Sequence, residues 1–190
     1  MSSVLDQTDL VIKRRPKVFE VRAGYDIYDA RAASALASVE QVGRDNLQKL
    51  VRPQRDDNAR TSLELREPSG PVLLLTHVQA ARSSLAVARP DGTEIGLIRL
   101  ENIFGKSRFA LDVAVASVGR TAARTWRRKN FAIVDAQGME VGSVDMLHGS
   151  SGDASHDNQY ALHIAPGLVD PLRSLAFASA FAVDTILWTR

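Results

Sequence analysis

Two groups of basic residues are the part of this sequence best suited to chemistry. One surrounds a tryptophan and the other lies near the start of the chain. Their members are Arg120, Arg124, Trp126, Arg127, Arg128 and Lys129 in the first group, and Lys13, Arg14, Arg15 and Lys17 in the second. Guanidinium groups pair bidentately with phosphate, and an indole among arginines is typical of a membrane–water interface. The alternative is a solvated loop whose tryptophan packs on the fold.

Motifs for common catalytic mechanisms are missing from the sequence. Gly105-Lys106-Ser107 looks like the end of a phosphate-binding loop, but Leu100 stands where that motif needs its first glycine. The hydrolase pattern G-x-S-x-G is absent, and there is no cysteine to act as a nucleophile or thiolate metal ligand. We therefore expect a protein that is not an enzyme.

Composition limits the partners of the chain. The 190 residues carry 24 Lys and Arg against 22 Asp and Glu, a net charge of +2. This balance does not support binding to nucleic acid through bulk charge, so any anion-binding site must be local. The first residues mix acidic and basic side chains without an apolar core, which argues against a signal peptide. A cytoplasmic location is the expectation.

The elements that must position these residues include an unusual C-terminal helix. Residues 170–190, DPLRSLAFASAFAVDTILWTR, predict a helix over 171–188 that is apolar on every side, with Asp170 as N-cap and Pro171 at the first helical position. Such a helix is either a protein core or a membrane span. Arg173 and Asp184 within it disfavour a span, because each buried charge is costly in a bilayer.

The two charges of this helix each need a partner. Arg173 and Asp184 are 11 residues apart, about 16 Å along a helix, and are too distant to pair with each other. We expect Asp184 to be a structural core charge that bonds to barrel backbone N–H groups or to a barrel arginine. A functional role for Asp184 is the alternative.

The chain before residue 170 alternates apolar and polar residues between turn signals, which indicates a β-sheet protein. Residues 30–52 are ambiguous: ARAASALASVEQV is compatible with a strand pair, and GRDNLQKLVR has the character of a short surface helix. The predicted strands are Leu10–Lys13, Val18–Arg22, Tyr25–Asp29, Ser62–Arg66, Val72–Val78, Ser84–Arg89, Glu94–Leu100, Phe109–Val115, Asn130–Asp135, Glu140–Met146 and Tyr160–Ile164.

An internal repeat predicts paired hairpins. LAVARPDGTEIGLIR, Leu85–Arg99, matches FAIVDAQGMEVGSVD, Phe131–Asp145, at a constant offset of 46 residues. Each unit reads as a strand, a turn and a return strand, with Gly92 and Gly138 taking the positive φ that such turns require.

Hairpins in series predict a sandwich or a closed barrel, and an all-apolar helix needs a tubular place to lie. We therefore expect a mainly β protein, a closed antiparallel barrel that encloses its C-terminal helix. We expect residues 1–9 to be a flexible N-terminus and residues 10–190 to be one domain.

The order of these segments carries a resemblance. YDIYDA, VLLLTH, the repeated G-x-x-I/V-G hairpins, ENIFGK at Glu101–Lys106, DNQYALHI and the terminal helix with its late aspartate resemble the bacterial branch of the phospholipid scramblase family. That family shares a fold with LURP-one-related proteins and the C-terminal domain of Tubby proteins. The resemblance covers nearly the whole chain and implies a barrel of about twelve strands around a central hydrophobic helix.

The resemblance also implies a calcium segment before the terminal helix. Asp157 and Asn158 match its D-N pair, but Ser155 stands where the segment begins with an aspartate. Asp153 and Asp157 are then the only carboxylates in the loop, whereas calcium usually takes six to eight oxygen ligands. Asp153, Asp157 and Asn158 therefore form a poor metal site, and we expect no cofactor.

Scramblase-like proteins are linked to the movement of phospholipids between leaflets, and Tubby-like domains to phosphoinositide recognition. The resemblance therefore implies contact with lipid headgroups. The main hypothesis is a cytoplasmic protein that binds anionic phospholipid headgroups peripherally, at the inner face of the membrane, through the two basic groups. The alternatives are a protein-interaction or regulatory barrel without lipid contact, and a scramblase inserted in the bilayer through its terminal helix.

Overall fold

The computed structural model describes residues 3–15, 24–42, 62–68, 70–79, 84–103, 106–113, 116–123, 130–147 and 159–187. These residues form a short 3-10 turn (Val4–Asp6), twelve strands and a C-terminal helix. The strands are β1 (Asp9–Arg14), β2 (Gly24–Asp29), β3 (Ala35–Val42), β4 (Ser62–Arg66), β5 (Val72–Gln79), β6 (Ser84–Ala88), β7 (Glu94–Ile103), β8 (Lys106–Val113), β9 (Ala116–Ala123), β10 (Asn130–Asp135), β11 (Glu140–Leu147) and β12 (Gln159–Ile164).

The strands form a closed antiparallel barrel. Each strand pairs with its neighbours in the chain, and β1 pairs with β12 to close the ring. Closure leaves no unpaired sheet edge among these strands. The predicted fold class, a closed antiparallel barrel enclosing a C-terminal helix, is confirmed.

The helix lies inside this barrel. It runs over Leu172–Ala182 and continues as a π-helical segment, Val183–Leu187, and we call both together the core helix. Residues 174–184 of the core helix are all buried. We call the end of the barrel where the core helix begins the top, and the end where Asp184 lies the bottom. Because the strands alternate in direction, odd-numbered strands run from top to bottom.

The start of the core helix differs by one residue from the prediction. Pro171 is the N-cap residue and Leu172 is the first helical residue. Asp170 nevertheless accepts hydrogen bonds at one carboxylate oxygen from the Ser174 N–H at 3.1 Å and the Ser174 hydroxyl at 2.7 Å. The carboxylate therefore still satisfies a donor of the first turn, from one position further out than expected.

The repeated hairpins fold alike. Gly92 and Gly138 have φ values of 86° and 84°, which confirms their predicted role in the turns. In both hairpins the register shifts at the same place, between Val87 and Ala88 in one and between Ile133 and Val134 in the other. A bulge at this place bends the strand and increases its twist, which helps the sheet to curve around the core helix.

Three glycines allow close approaches inside the barrel. A Cβ at Gly96 would lie 2.4 Å from the Asp112 carbonyl oxygen, and a Cβ at Gly142 would lie 2.4 Å from that of His163. Gly119 lies midway between them in sequence, 23 residues from each. There an added Cβ would meet the Leu172 side chain at 2.9 Å. Any side chain at these positions would push against backbone or against the core helix.

Most predicted strands coincide with observed ones, and two segments differ. β9 was not predicted, because ASVGRTAA has no alternation of large apolar residues. The ambiguous segment 30–52 contributes a turn and one strand, β3, within its described part. The predicted strand Val18–Arg22 and residues 43–52 lie outside the described residues.

The described N-terminal residues contact the top of the barrel. Ser3 caps the 3-10 turn by accepting a hydrogen bond from the Leu5 N–H, and Val4 is only 2% exposed. The Val4 N–H also donates to the Glu67 carboxylate at 3.1 Å. Burial of Val4 and these bonds fix residues 3–9 against the top of the barrel.

The close approach at Gly96 predicts a cost for any side chain there. Gly96→Ala is expected to lower the free energy of unfolding by about 1–3 kcal/mol, because the new methyl group overlaps a backbone oxygen that cannot move independently. Urea denaturation measures this change. Gly70→Ala, in a turn where the nearest atom is 3.1 Å away, is the control and should stay within about 0.5 kcal/mol of wild type. Equal stability of the two variants would contradict the assignment.

Candidate functional site

A buried carboxylate lies at the bottom of the barrel. Asp184, in the π-helical segment of the core helix, is fully buried. The hydroxyls of Tyr25 and Tyr160 each donate to one of its oxygens at 2.6 Å, and Nη1 of Arg14 lies 3.2 Å from it. We call these four residues the Asp184 cluster. The sequence left backbone N–H groups or a barrel arginine open as partners, and Arg14 is such an arginine.

Strand register brings the cluster together. Arg14 is the last residue of β1 and pairs with Tyr25 on β2, while Ile12 of β1 pairs with Tyr160 on β12. The Tyr25 ring also packs on Phe181 of the core helix, with centroids 5.3 Å apart. Three adjacent strands therefore present their inward side chains to the end of the helix.

The surroundings of Asp184 keep Tyr25 protonated. Burial raises the pKa of Tyr25 well above its ordinary 10.0, and the negative charge of Asp184 raises it further. A protonated phenol is a hydrogen-bond donor, which is the form that a buried carboxylate requires. Sequence analysis missed both tyrosines, although each occupies an inward position of an alternating strand.

The other charge of the core helix is satisfied at the top. The Arg173 guanidinium donates to the carbonyl oxygens of Leu5 at 2.6 Å, Leu168 at 3.2 Å and Gln7 at 3.2 Å. Arg173 therefore lies at the mouth of the barrel, where the core helix begins. It ties the N-terminal turn to the start of the core helix.

A surface depression of about 260 Å³ lies on the outer wall, across β7 to β10. We call it the wall depression. Among its lining residues, Ala110 is small and leaves the space open. Its charged lining consists of Arg99, Glu101, Arg108, Asp112, Arg120 and Asp135.

Two of the three arginines in the wall depression are ion-paired. Arg108 donates to Glu101 through Nε and Nη2 at 2.9 and 2.6 Å. Arg99 bridges Glu101 at 3.3 Å and Asp112 at 3.1 Å. Arg120, which the sequence singled out, is exposed and forms no ion pair with the described residues. It is the cation of the wall depression that is free to meet a ligand.

The second basic group separates into different environments. Lys13 is exposed on the outer face, with its ammonium 5.2 Å from the Tyr28 ring centroid. Arg14 points inward to Asp184, with its side chain 14% exposed. Arg15 is 39% exposed and pairs with Asp26 and Glu40, and these carboxylates raise its pKa. Lys13 is therefore the most accessible of the three for an external anion.

The remaining predicted site residues lie outside the described residues. They are Lys17, Arg124, Trp126, Arg127, Arg128 and Lys129 from the basic groups, and Asp153, Asp157 and Asn158 from the calcium segment. Within the described part of the chain, no group of three or more His, Asp or Glu side chains is arranged to hold a metal ion.

Comparison with known proteins bears on the fold. No family model matches the chain, and no curated protein matches it. Among solved structures, the X-ray structure of a protein from Arabidopsis thaliana, AT5G01750, matches with a TM-score of 0.54 over 100% of both chains, at 10% sequence identity. The two folds are similar. At this identity the likeness extends to the fold alone.

No helix among the described residues combines the length and the apolar character needed to cross a bilayer.

The Tyr25 phenol predicts a loss of stability at alkaline pH. Its raised pKa means that the unfolded chain releases this proton at a lower pH than the folded chain does. The stabilisation is fully present below pH 10 and falls as the pH rises, by up to about 1.4 kcal/mol per pH unit. Denaturation at a series of pH values measures the slope.

Tyr25→Phe should reduce the alkaline slope of the free energy of unfolding by the contribution of one proton, about 1.4 kcal/mol per pH unit. Tyr28→Phe is the matched control, because Tyr28 lies on the outer face of the same strand. An unchanged slope in Tyr25→Phe, or an equal loss in Tyr28→Phe, would contradict the assignment.

Proposed function

We propose that the protein binds anionic phospholipid headgroups peripherally and without catalysis, and that it takes part in the redistribution or organisation of membrane lipids. The observation that carries the proposal is the direction of the strands. It places Lys13 at the bottom of the barrel, together with the strand ends Ala123 and Asn130 that flank the RTWRRK sequence.

The directions of the strands give this arrangement. β1 ends at the bottom with Lys13 and Arg14, beside Asp184. β9 also runs from top to bottom and ends at Ala123, and β10 begins there at Asn130. The sequence between them, RTWRRK, contributes four basic residues and a tryptophan. We propose that an anionic surface under the bottom of the barrel contacts Lys13 and the basic residues of this sequence.

Electrostatics makes such a contact favourable. Each basic residue near an anionic leaflet contributes about 1 kcal/mol, and arginine also pairs bidentately with phosphate. The core helix fills the interior of the barrel, which leaves the outer surface and the ends for binding. The anionic inner face of a cytoplasmic membrane is the target we propose. The poor carboxylate set of the calcium segment leads us to propose binding that needs no cofactor.

The fold likeness supports this proposal at the level of architecture. The resemblance to scramblase-related, LURP-one-related and Tubby proteins implies a barrel around a core helix, and the described residues form such a barrel. The Arabidopsis structure has a similar fold. The proposal of lipid binding rests on the basic residues and on the resemblance.

A protein-interaction role is the second candidate, and one observation favours it. Met139 and Val169, both at the top of the barrel, are 67% and 74% exposed. Contact surfaces between proteins carry contiguous exposed apolar patches, so this candidate requires Met139 and Val169 to belong to one such patch. This end is opposite to the basic one, so the two candidates use different surfaces.

Vesicle flotation tests the main proposal. Wild type should float with vesicles that contain an anionic phospholipid and not with neutral vesicles, both with a calcium chelator and with added calcium. Changing Arg124, Arg127 and Arg128 together to Glu should weaken the partition by roughly a hundredfold or more, since three contributions of about 1 kcal/mol are lost and replaced by repulsion.

The matched control changes three arginines at the top, Arg31, Arg66 and Arg89, to Glu. It gives the same net charge and should retain most of the binding, because screening limits the effect of distant charges. Flotation that depends neither on lipid charge nor on the bottom arginines would overturn the proposal and favour the protein-interaction role.

A further inference from the structure

The wall depression combines charges of both signs. Its six charged side chains, three arginines and three carboxylates, sum to zero. A simple anion would meet three carboxylates there, and a simple cation would meet three guanidiniums. A ligand that carries both charges, separated by a few bonds, is the kind that such a lining favours.

The ion pairs show which groups remain available. Both oxygens of Glu101 are engaged by Arg99 and Arg108. One oxygen of Asp112 accepts from Arg99, and one oxygen of Asp135 accepts the Met139 N–H at 2.8 Å. From the described residues, the second oxygen of each aspartate accepts no hydrogen bond. Among the described residues, the Arg120 guanidinium and one oxygen each of Asp112 and Asp135 therefore remain available to a ligand.

The free cation lies beside one of these carboxylates. Arg120 on β9 pairs with Val134, the residue before Asp135 on β10. Its Nη2 would lie 3.7 Å from a Cβ at Gly138, in the turn that follows Asp135. The guanidinium therefore extends along the β10–β11 hairpin, on the same wall as the Asp135 carboxylate.

We propose that the wall depression binds the phosphate ester of a primary amine, as in a phosphoethanolamine headgroup. Arg120 receives the phosphate, and Asp135 and Asp112 accept hydrogen bonds from the ammonium group. This inference rests on the proposed function, since it names a headgroup that the outer wall of the same barrel selects. The volume of about 260 Å³ suits a headgroup and lies below the usual range for larger ligands.

The lining also favours binding of primary over quaternary amines. A primary ammonium donates charge-assisted hydrogen bonds to carboxylates, which a trimethylammonium group cannot do. Quaternary ammonium groups are usually held by aromatic side chains, and none of the described residues that line the wall depression is aromatic. Phosphoethanolamine should therefore bind in preference to phosphocholine.

The wall depression runs up the outer wall from the bottom of the barrel. Arg108, at its lower rim, pairs with Ala122, the last residue but one of β9. Asp135, at its upper end, is the last residue of β10, and the Arg120 guanidinium extends towards Gly138 in the turn at the top. The groups proposed to hold the ligand therefore lie in the upper part of the depression, and the titration of soluble ligands tests the site independently of a membrane.

The experiment compares two sources of the same headgroup. Soluble O-phosphoethanolamine and phosphocholine are titrated into the labelled protein and followed by amide chemical shifts. In parallel, flotation uses vesicles of fixed anionic lipid content whose neutral lipid is either phosphatidylethanolamine or phosphatidylcholine. Wild type should prefer the primary amine by about fivefold in at least one of these assays.

Asp135→Asn keeps the acceptor for the Met139 N–H but removes the charge, and it should abolish this preference. Its binding to anionic vesicles should stay equal or increase, because the net charge rises. Glu94→Gln is the matched control: it makes the same change of charge at an exposed position outside the wall depression and should keep the preference.

The outcomes distinguish the inference from the proposed function. Equal binding of the two amines in both assays overturns the inference, whether or not anionic vesicles are bound. A preference for phosphoethanolamine that Asp135→Asn removes supports the inference. If it occurs only in solution while all vesicles fail to bind, the ligand is a soluble phosphoamine and the proposed membrane function is wrong. A preference that survives Asp135→Asn overturns the assignment to the wall depression.

Discussion

The buried carboxylate of Asp184 is the constraint on which the arrangement of helix and barrel depends. A charge removed from water is tolerated only when it is paired and hydrogen-bonded, and here two phenols and a guanidinium perform that task. Its partners come from three strands, including the pair β1 and β12 that closes the barrel. Closing the barrel, placing the helix and compensating the buried charge therefore depend on the same contacts. At the opposite end, Arg173 fixes the start of the helix to backbone carbonyl groups.

The barrel is shaped to admit the core helix. At Gly119 the absent side chain makes room for Leu172, and at Gly96 it makes room for Leu175. Bulges near the top of the hairpins add the local bend that a closed sheet of this size needs. Because the interior is filled in this way, the accessible chemistry lies on the outside. The charged wall depression, which crosses β9, is one such outer surface among the described residues.

The fold could be predicted from local sequence patterns, whereas the residues that contact Asp184 could not. The repeat around Gly92 and Gly138 and the all-apolar helix each predict a structure from neighbouring residues, and together they predict an enclosed helix. β9 escaped prediction because its inward positions carry Gly119, Thr121 and Ala123, which are small where the helix passes close. The sequence marked Arg14 as a surface cation, but strand register turns it inward. Contacts between residues 14, 25, 160 and 184 depend on barrel closure, which no local pattern encodes.

The most direct test of this account is a double-mutant cycle between Arg14 and Asp184, measured as free energies of unfolding. Asp184→Asn alone should cost about 3–5 kcal/mol, because it leaves the Arg14 guanidinium buried without its counter-charge. In an Arg14→Met background the same change should cost less, with a coupling of about 1–3 kcal/mol between the two sites. Additive costs within about 0.5 kcal/mol, or an Asp184→Asn variant as stable as wild type, would contradict the central role of the Asp184 cluster.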